Sequence, residues 1–104
     1  MSDTITTITI SLDGDWETRE VYLNGKFLNP KRSQKIRNHS PDGFNWGYAG
    51  SGPGQLALAI CLELFPEEEA LRVYMDFKFK YIAALPQGDF DRKIEIQLPI
   101  KKSE

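Results

Sequence analysis

Ile8, Ile10 and Leu12 alternate with Thr7, Thr9 and Ser11, a period of two that predicts a strand with one face turned to a core. Asp13-Gly14-Asp15 then turns the chain. Val21-Tyr22-Leu23 and Lys26-Phe27-Leu28 flank Asn24-Gly25, the dipeptide that best tolerates the positive φ angles of a two-residue hairpin turn. Gln34 to His39 reads as a further extended piece, with Lys35, Arg37 and His39 on one face and Ile36 on the other. From Ser40 to Gly54 the chain carries Pro41, Gly43, Gly47, Gly50, Gly52 and Pro53, so the spacing predicts neither helix nor regular strand there. Phe44, Trp46 and Tyr48 are residues that flexible linkers lack, and they predict an ordered loop packed against the core.

Gln55 to Phe65 is apolar nearly all round, with Leu56, Leu58, Ile60, Leu62 and Leu64 separated by small residues or by Cys61 and Glu63, which predicts a largely buried helix. Pro66 and Glu67-Glu68-Glu69 start a second helix, since proline suits a first turn and acids complement its positive end. Its apolar face is Ala70, Leu71, Tyr74, Phe77, Tyr81, Ile82 and Leu85, and Phe79 falls off that face. An aromatic ring there is expected to be exposed and to mark a partner or dimer interface. After Pro86-Gln87-Gly88, the residues Ile94, Ile96, Leu98 and Ile100 alternate with polar ones as a final strand, and Pro99 suits an edge position. The expected fold class is therefore α+β: an antiparallel sheet of four to five strands with a two-helix hairpin packed on one face. Residues 1–104 form one domain in this reading, without repeats or linkers, and with a frayed tail from Lys101 to Glu104.

Length agrees, because 104 residues leave room for one core and no second domain. A hydrophobic fraction of 40% with 27% charged residues is that of an ordinary globular chain. No apolar run approaches a membrane span, and the start, Met1-Ser2-Asp3-Thr4, has no signal-peptide pattern, so the expected location is the cytoplasm, with no membrane partner. A net charge of −2 argues against general nucleic-acid binding. The charge is uneven, however: Arg19, Lys26, Lys31, Arg32, Lys35 and Arg37 face the single acid Glu20 between Arg19 and His39. Cys61 is the only cysteine and His39 the only histidine, which leaves no disulfide and no clustered zinc ligands; no metal or cofactor is expected. Cys61 reads as a buried thiol in an apolar helix rather than a nucleophile.

The run Arg37-Asn38-His39-Ser40-Pro41-Asp42-Gly43-Phe44-Asn45-Trp46-Gly47-Tyr48-Ala49-Gly50-Ser51-Gly52-Pro53-Gly54-Gln55-Leu56-Ala57-Leu58-Ala59 resembles a family of small, uncharacterised proteins of bacteria and their phages. Their shared pattern is RNHSPxGFxWGYxGSGPxQLALA, after a strand hairpin and before a second helix ending in Leu-Pro. Here the hairpin is Val21 to Leu28, the ending is Leu85-Pro86, and the resemblance covers about residues 19 to 87. The usual residue before the glutamine is alanine, whereas this chain has Gly54, which implies a looser first helical turn. The resemblance implies a phage or mobile-element setting and brings no activity with it.

Three features of this segment carry chemistry. Gly50-Ser51-Gly52-Pro53-Gly54 enters a buried helix, where unpaired amides and the dipole favour an anion, with Lys35, Arg37 and His39 just upstream. Alternatively, Ser51 simply caps the helix and Gln55 bonds back toward the cap. It is neither a Walker A loop, which needs a lysine and Ser/Thr, nor a dinucleotide fingerprint. Trp46 and Tyr48 offer rings to a partner, or pack over the first helix. His39, Ser40 and Asp42 hold a base, a hydroxyl and an acid, or simply hydrogen-bond their own turn.

The first expectation is a non-enzymatic binding protein, an accessory factor that binds a host protein, such as a counter-defence inhibitor, through Arg37, His39, Trp46, Tyr48 and the amides from Ser51 and Gly52 to Gln55. The second is a small-ligand binder holding a phosphate or nucleotide at the Gly50 to Gln55 helix start. The third is a hydrolase or transferase using His39 with Asp42 or Ser51. Oligomeric state stays open.

Overall fold

The computed structural model describes the chain from residue 4 to residue 100, and its side chains from residue 7 to residue 97. The tail from Lys101 and the side chains of Leu98 and Ile100 lie outside the described residues. The fold is α+β, with a four-stranded antiparallel sheet in the order β3-β2-β1-β4. The strands are β1 (Thr4–Gly14), β2 (Val21–Leu23), β3 (Lys26–Phe27) and β4 (Phe90–Ile100).

The period of two in the sequence becomes the long ladder between β1 and β4, where Ile8 pairs with Ile96, Ile10 with Ile94 and Leu12 with Arg92. Ile10, Leu12 and Ile96 are buried on the inner face, and Thr7, Thr9, Glu95 and Gln97 are exposed on the outer one. β4 is an edge strand, the position to which Pro99 is suited. Between β2 and β3, Asn24 and Gly25 take φ of 52° and 80°, the two positive angles that this hairpin turn demands. Asn24 also stitches the turn to β1, because its Oδ1 accepts from the Ser11 N–H at 2.8 Å.

The helices are α1 (Lys31–Ile36), α2 (Ser51–Leu64) and α3 (Glu67–Phe77), the last running into a π-helical turn at Lys78–Ile82. α1 corrects the extended piece expected from Gln34 to His39. Pro30 fixes its own φ at −72°, Asn29 Oδ1 accepts the Lys31 N–H at 2.9 Å, and the Ser33 hydroxyl donates back to the Pro30 carbonyl at 2.7 Å. Lys35, Arg37 and His39 therefore do not share a strand face.

α2 starts a turn before the expected Gln55, with Gly52, Pro53 and Gly54 inside it, as a proline in the first turn permits. It is buried from Gly52 to Leu62, so its near-uniform apolarity is satisfied on every side, with α1 and α3 packed against it. Burial also pushes the Cys61 thiol up, far from the thiolate that nucleophilic chemistry would use. In α3, Ala70, Val73, Tyr74 and Phe77 face inward. The π turn then widens the spiral, and Ile82, on the apolar face expected from the sequence, is fully buried.

Candidate functional site

Gln55 is the polar exception in the apolar helix α2, and it is fully buried. A buried carboxamide must find partners for both its ends. Its Oε1 accepts from the backbone N–H of His39 at 2.7 Å and of Ser40 at 2.9 Å. Its Nε2 donates to the Ser33 Oγ at 2.9 Å and to the Arg37 carbonyl at 3.0 Å. One side chain thereby ties the end of α1 and the segment Arg37 to Ser40 to the first turns of α2. Gln55 does not bond back to a helix cap, and no side-chain cap bond is made at the start of α2, where Ser51 is the first helical residue.

Above this brace the side chains of Arg37 and His39 are exposed and converge on one hydroxyl. Arg37 Nη1 donates to Tyr74 Oη at 3.3 Å, and His39 Nε2 lies 2.9 Å from the same oxygen. With a neutral imidazole unprotonated at Nε2, the hydroxyl accepts from Arg37 and donates to His39. Tyr74 itself is buried to its tip in α3. The ion pairs of the described residues are Arg32 with Glu63 and Arg72 with Glu69, so within the described residues neither Arg37 nor His39 has a carboxylate partner. No hydrogen bond among the described residues joins His39 to Asp42 or Ser51; its ring is turned to Tyr74.

The other half of the segment has a different fate. Trp46 is a core residue rather than a displayed ring: it is fully buried, its Nε1–H donates to the Gly88 carbonyl at 2.9 Å, and it meets Phe90 and Trp16 edge-on at 5.0 and 5.6 Å. Phe44 is buried in the core as well. Tyr48 is 42% exposed, and its hydroxyl accepts from Asn45 Nδ2 at 3.3 Å.

The start of α2 opens on a cleft of about 490 Å³ lined by Arg19, Glu17, Asp42, Tyr48, Ser51 and Gly52, among others. Arg37 and His39 do not line it, so the structure splits the expected site in two. The cleft suits an anion poorly, because Glu17 and Asp42 face it and Arg19 is already engaged. Arg19, held at φ 63°, lies 3.6 Å over the Trp16 ring and donates from Nε to Asn45 Oδ1 at 3.3 Å. Gly52 is small for a reason internal to the fold: a β-carbon there would meet Asn45 Cβ at 2.5 Å.

The sequence singles out Arg37, His39 and Gln55 but not Tyr74, and it offers Gln55 as a binding residue or a cap, whereas the Gln55 side chain is fully buried and reaches neither a binding partner nor the cap. The signal for Gln55 was present, since a lone carboxamide at the head of an apolar helix has to be satisfied from outside the helix. Tyr74 sits on the apolar face of α3, and its hydroxyl meets residues 35 and 37 positions away. Phe79 is 57% exposed, as its helical phase predicts, and the Lys78 ammonium lies 4.5 Å from its ring centre.

A model described as a family of unknown function (DUF6166) matches residues 13–101 of the chain. No curated protein and no solved structure matches it.

Proposed function

We propose, from the premise that this chain belongs to the DUF6166 family of unknown function, that it is a non-enzymatic binding protein whose contact surface is the patch of Arg37 and His39, both held on the buried Tyr74 hydroxyl. The observation that carries this reading is the Gln55 brace: three hydrogen bonds from one buried side chain hold the backbone of Arg37, His39 and Ser40, and a fourth ties it to the Ser33 hydroxyl. Ordering is thereby met in the free protein, and preorganised groups bind with less entropy loss. A guanidinium and an imidazole without an acid partner among the described residues recognise an anionic group, and the partner is a protein presenting a carboxylate or phosphoryl group there. The phage or mobile-element setting makes that partner a host protein, and inhibition of a defence component is a role of this kind.

The second reading, a phosphate or nucleotide held at the start of α2, would use the cleft that Ser51 and Gly52 line, against the Glu17 and Asp42 carboxylates that face it. Capture from a lysate of the source organism separates the two, using the wild type, Arg37→Glu and Ser51→Asp as baits. The first reading expects a protein retained by the wild type and by Ser51→Asp and lost with Arg37→Glu, all three variants melting within a few degrees of one another. Retention by Arg37→Glu at wild-type level overturns it.

A further inference from the structure

Beyond this patch, Met75 and Phe79 are left 41% and 57% exposed on α3 and its π turn. With half-buried Leu71 they recur every fourth residue, which places them on one ridge of the helix surface. Aromatic and thioether surface left on one exposed ridge is a feature to be explained by what covers it. The ring of Phe79 is not loose, because the Lys78 ammonium sits over it.

The charges beside the ridge say what that cover is. Exposed Glu67 and Glu68 occupy the first turn of α3, and exposed Lys80 the π turn that follows it. A second copy of the same helix laid parallel would place acid against acid and lysine against lysine. Laid antiparallel about Met75, it sets Leu71 of each copy against Phe79 of the other and brings the acidic start of each beside the other's Lys80. We infer that this face of α3 binds a second copy of the chain in an antiparallel, two-fold arrangement centred on Met75. A two-fold axis makes each contact occur twice, so one weak pair counts double. The ridge is narrow compared with a standard interface, so the dimer is weak and concentration-dependent. The pairing is independent of the Arg37 patch, and neither depends on the other.

Sedimentation equilibrium from micromolar to millimolar protein tests the pairing. The wild type should move from monomer to dimer mass over that range, while Phe79→Ser stays monomeric at every concentration and keeps the wild-type melting temperature. Lys80→Glu should weaken the dimer by about fivefold, from two exposed ion pairs lost per dimer. Combining it with Glu68→Lys reverses both ends of the helix and should restore the wild-type dissociation constant. A wild type that is monomeric at millimolar concentration, a Phe79→Ser variant that dimerises normally, or a double reversal that fails to restore the dimer each overturns the inference.

Discussion

Arg37 to Ser40 and Phe44 to Trp46 follow one another in one loop, yet the first displays side chains to solvent and the second buries them in the core. The first arm is held from below: Gln55 takes its backbone polar groups, which leaves the side chains of Arg37 and His39 outside. The second arm is held by its side chains, because Phe44 and Trp46 are themselves the buried part and their ring contacts reach Trp16 and Phe90. A loop anchored through its backbone displays its side chains, and a loop anchored through its side chains has none left to display. Only the first kind of anchoring leaves a prepared recognition surface.

The largest expected effect lies in the second arm. Trp46→Ala removes a fully buried ring with its hydrogen bond to Gly88 and should cost about 3–5 kcal/mol, read from denaturant unfolding. A cost near that of a surface substitution would break the comparison at its buried end. Next comes the brace. Gln55→Leu keeps volume but leaves the Ser40 N–H without its partner and takes one bond each from the His39 N–H, the Arg37 carbonyl and the Ser33 hydroxyl, at a cost of about 2–3 kcal/mol. Amide exchange at His39 and Ser40 should quicken in this variant more than exchange at Trp46, and equal acceleration would deny that the two arms are anchored separately.

A smaller effect, away from both arms, gives a reference in which charge rather than anchoring governs stability. Asp13 faces Asp91 across the β1–β4 ladder. A hydrogen bond with the Asp91 carboxyl, then burial and the Asp91 charge, holds Asp13 above its ordinary value of 3.8. A raised folded value means that the folded state binds the proton more tightly. Its stabilisation is present in full below 3.8 and is lost as pH rises through the folded value. Asp13→Asn should therefore flatten that part of the stability profile just above 3.8 and leave neutral-pH stability equal to or slightly above that of the wild type. A profile unchanged by the substitution would remove the Asp13–Asp91 coupling.

Much of the scaffold is legible in the sequence because it rests on periods and punctuation. Alternation in Thr7 to Leu12, Asn24-Gly25, the apolar run from Leu56 and the acidic start at Glu67 each specify an element locally. α1 is not legible in this way, since six residues with only Ser33 buried carry no apolar period. The site is less legible than the fold because its decisive contacts are remote. Gln55 meets Arg37 and His39 from 18 and 16 positions away, and Tyr74 meets them from still farther. For Trp46 the local sequence permits exposure and burial alike, and Phe90, at the far end of the chain, helps to decide it.

The most direct test of the displayed arm needs no partner. In a titration of the protein with inorganic phosphate followed by nuclear magnetic resonance, the His39 imidazole and the Arg37 guanidinium resonances should shift together and saturably. The Trp46 indole N–H should stay where it is, and Arg37→Glu should abolish the shifts. Shifts confined to the amides of Ser51 and Gly52, or a Trp46 indole that moves with the His39 ring, would contradict the account.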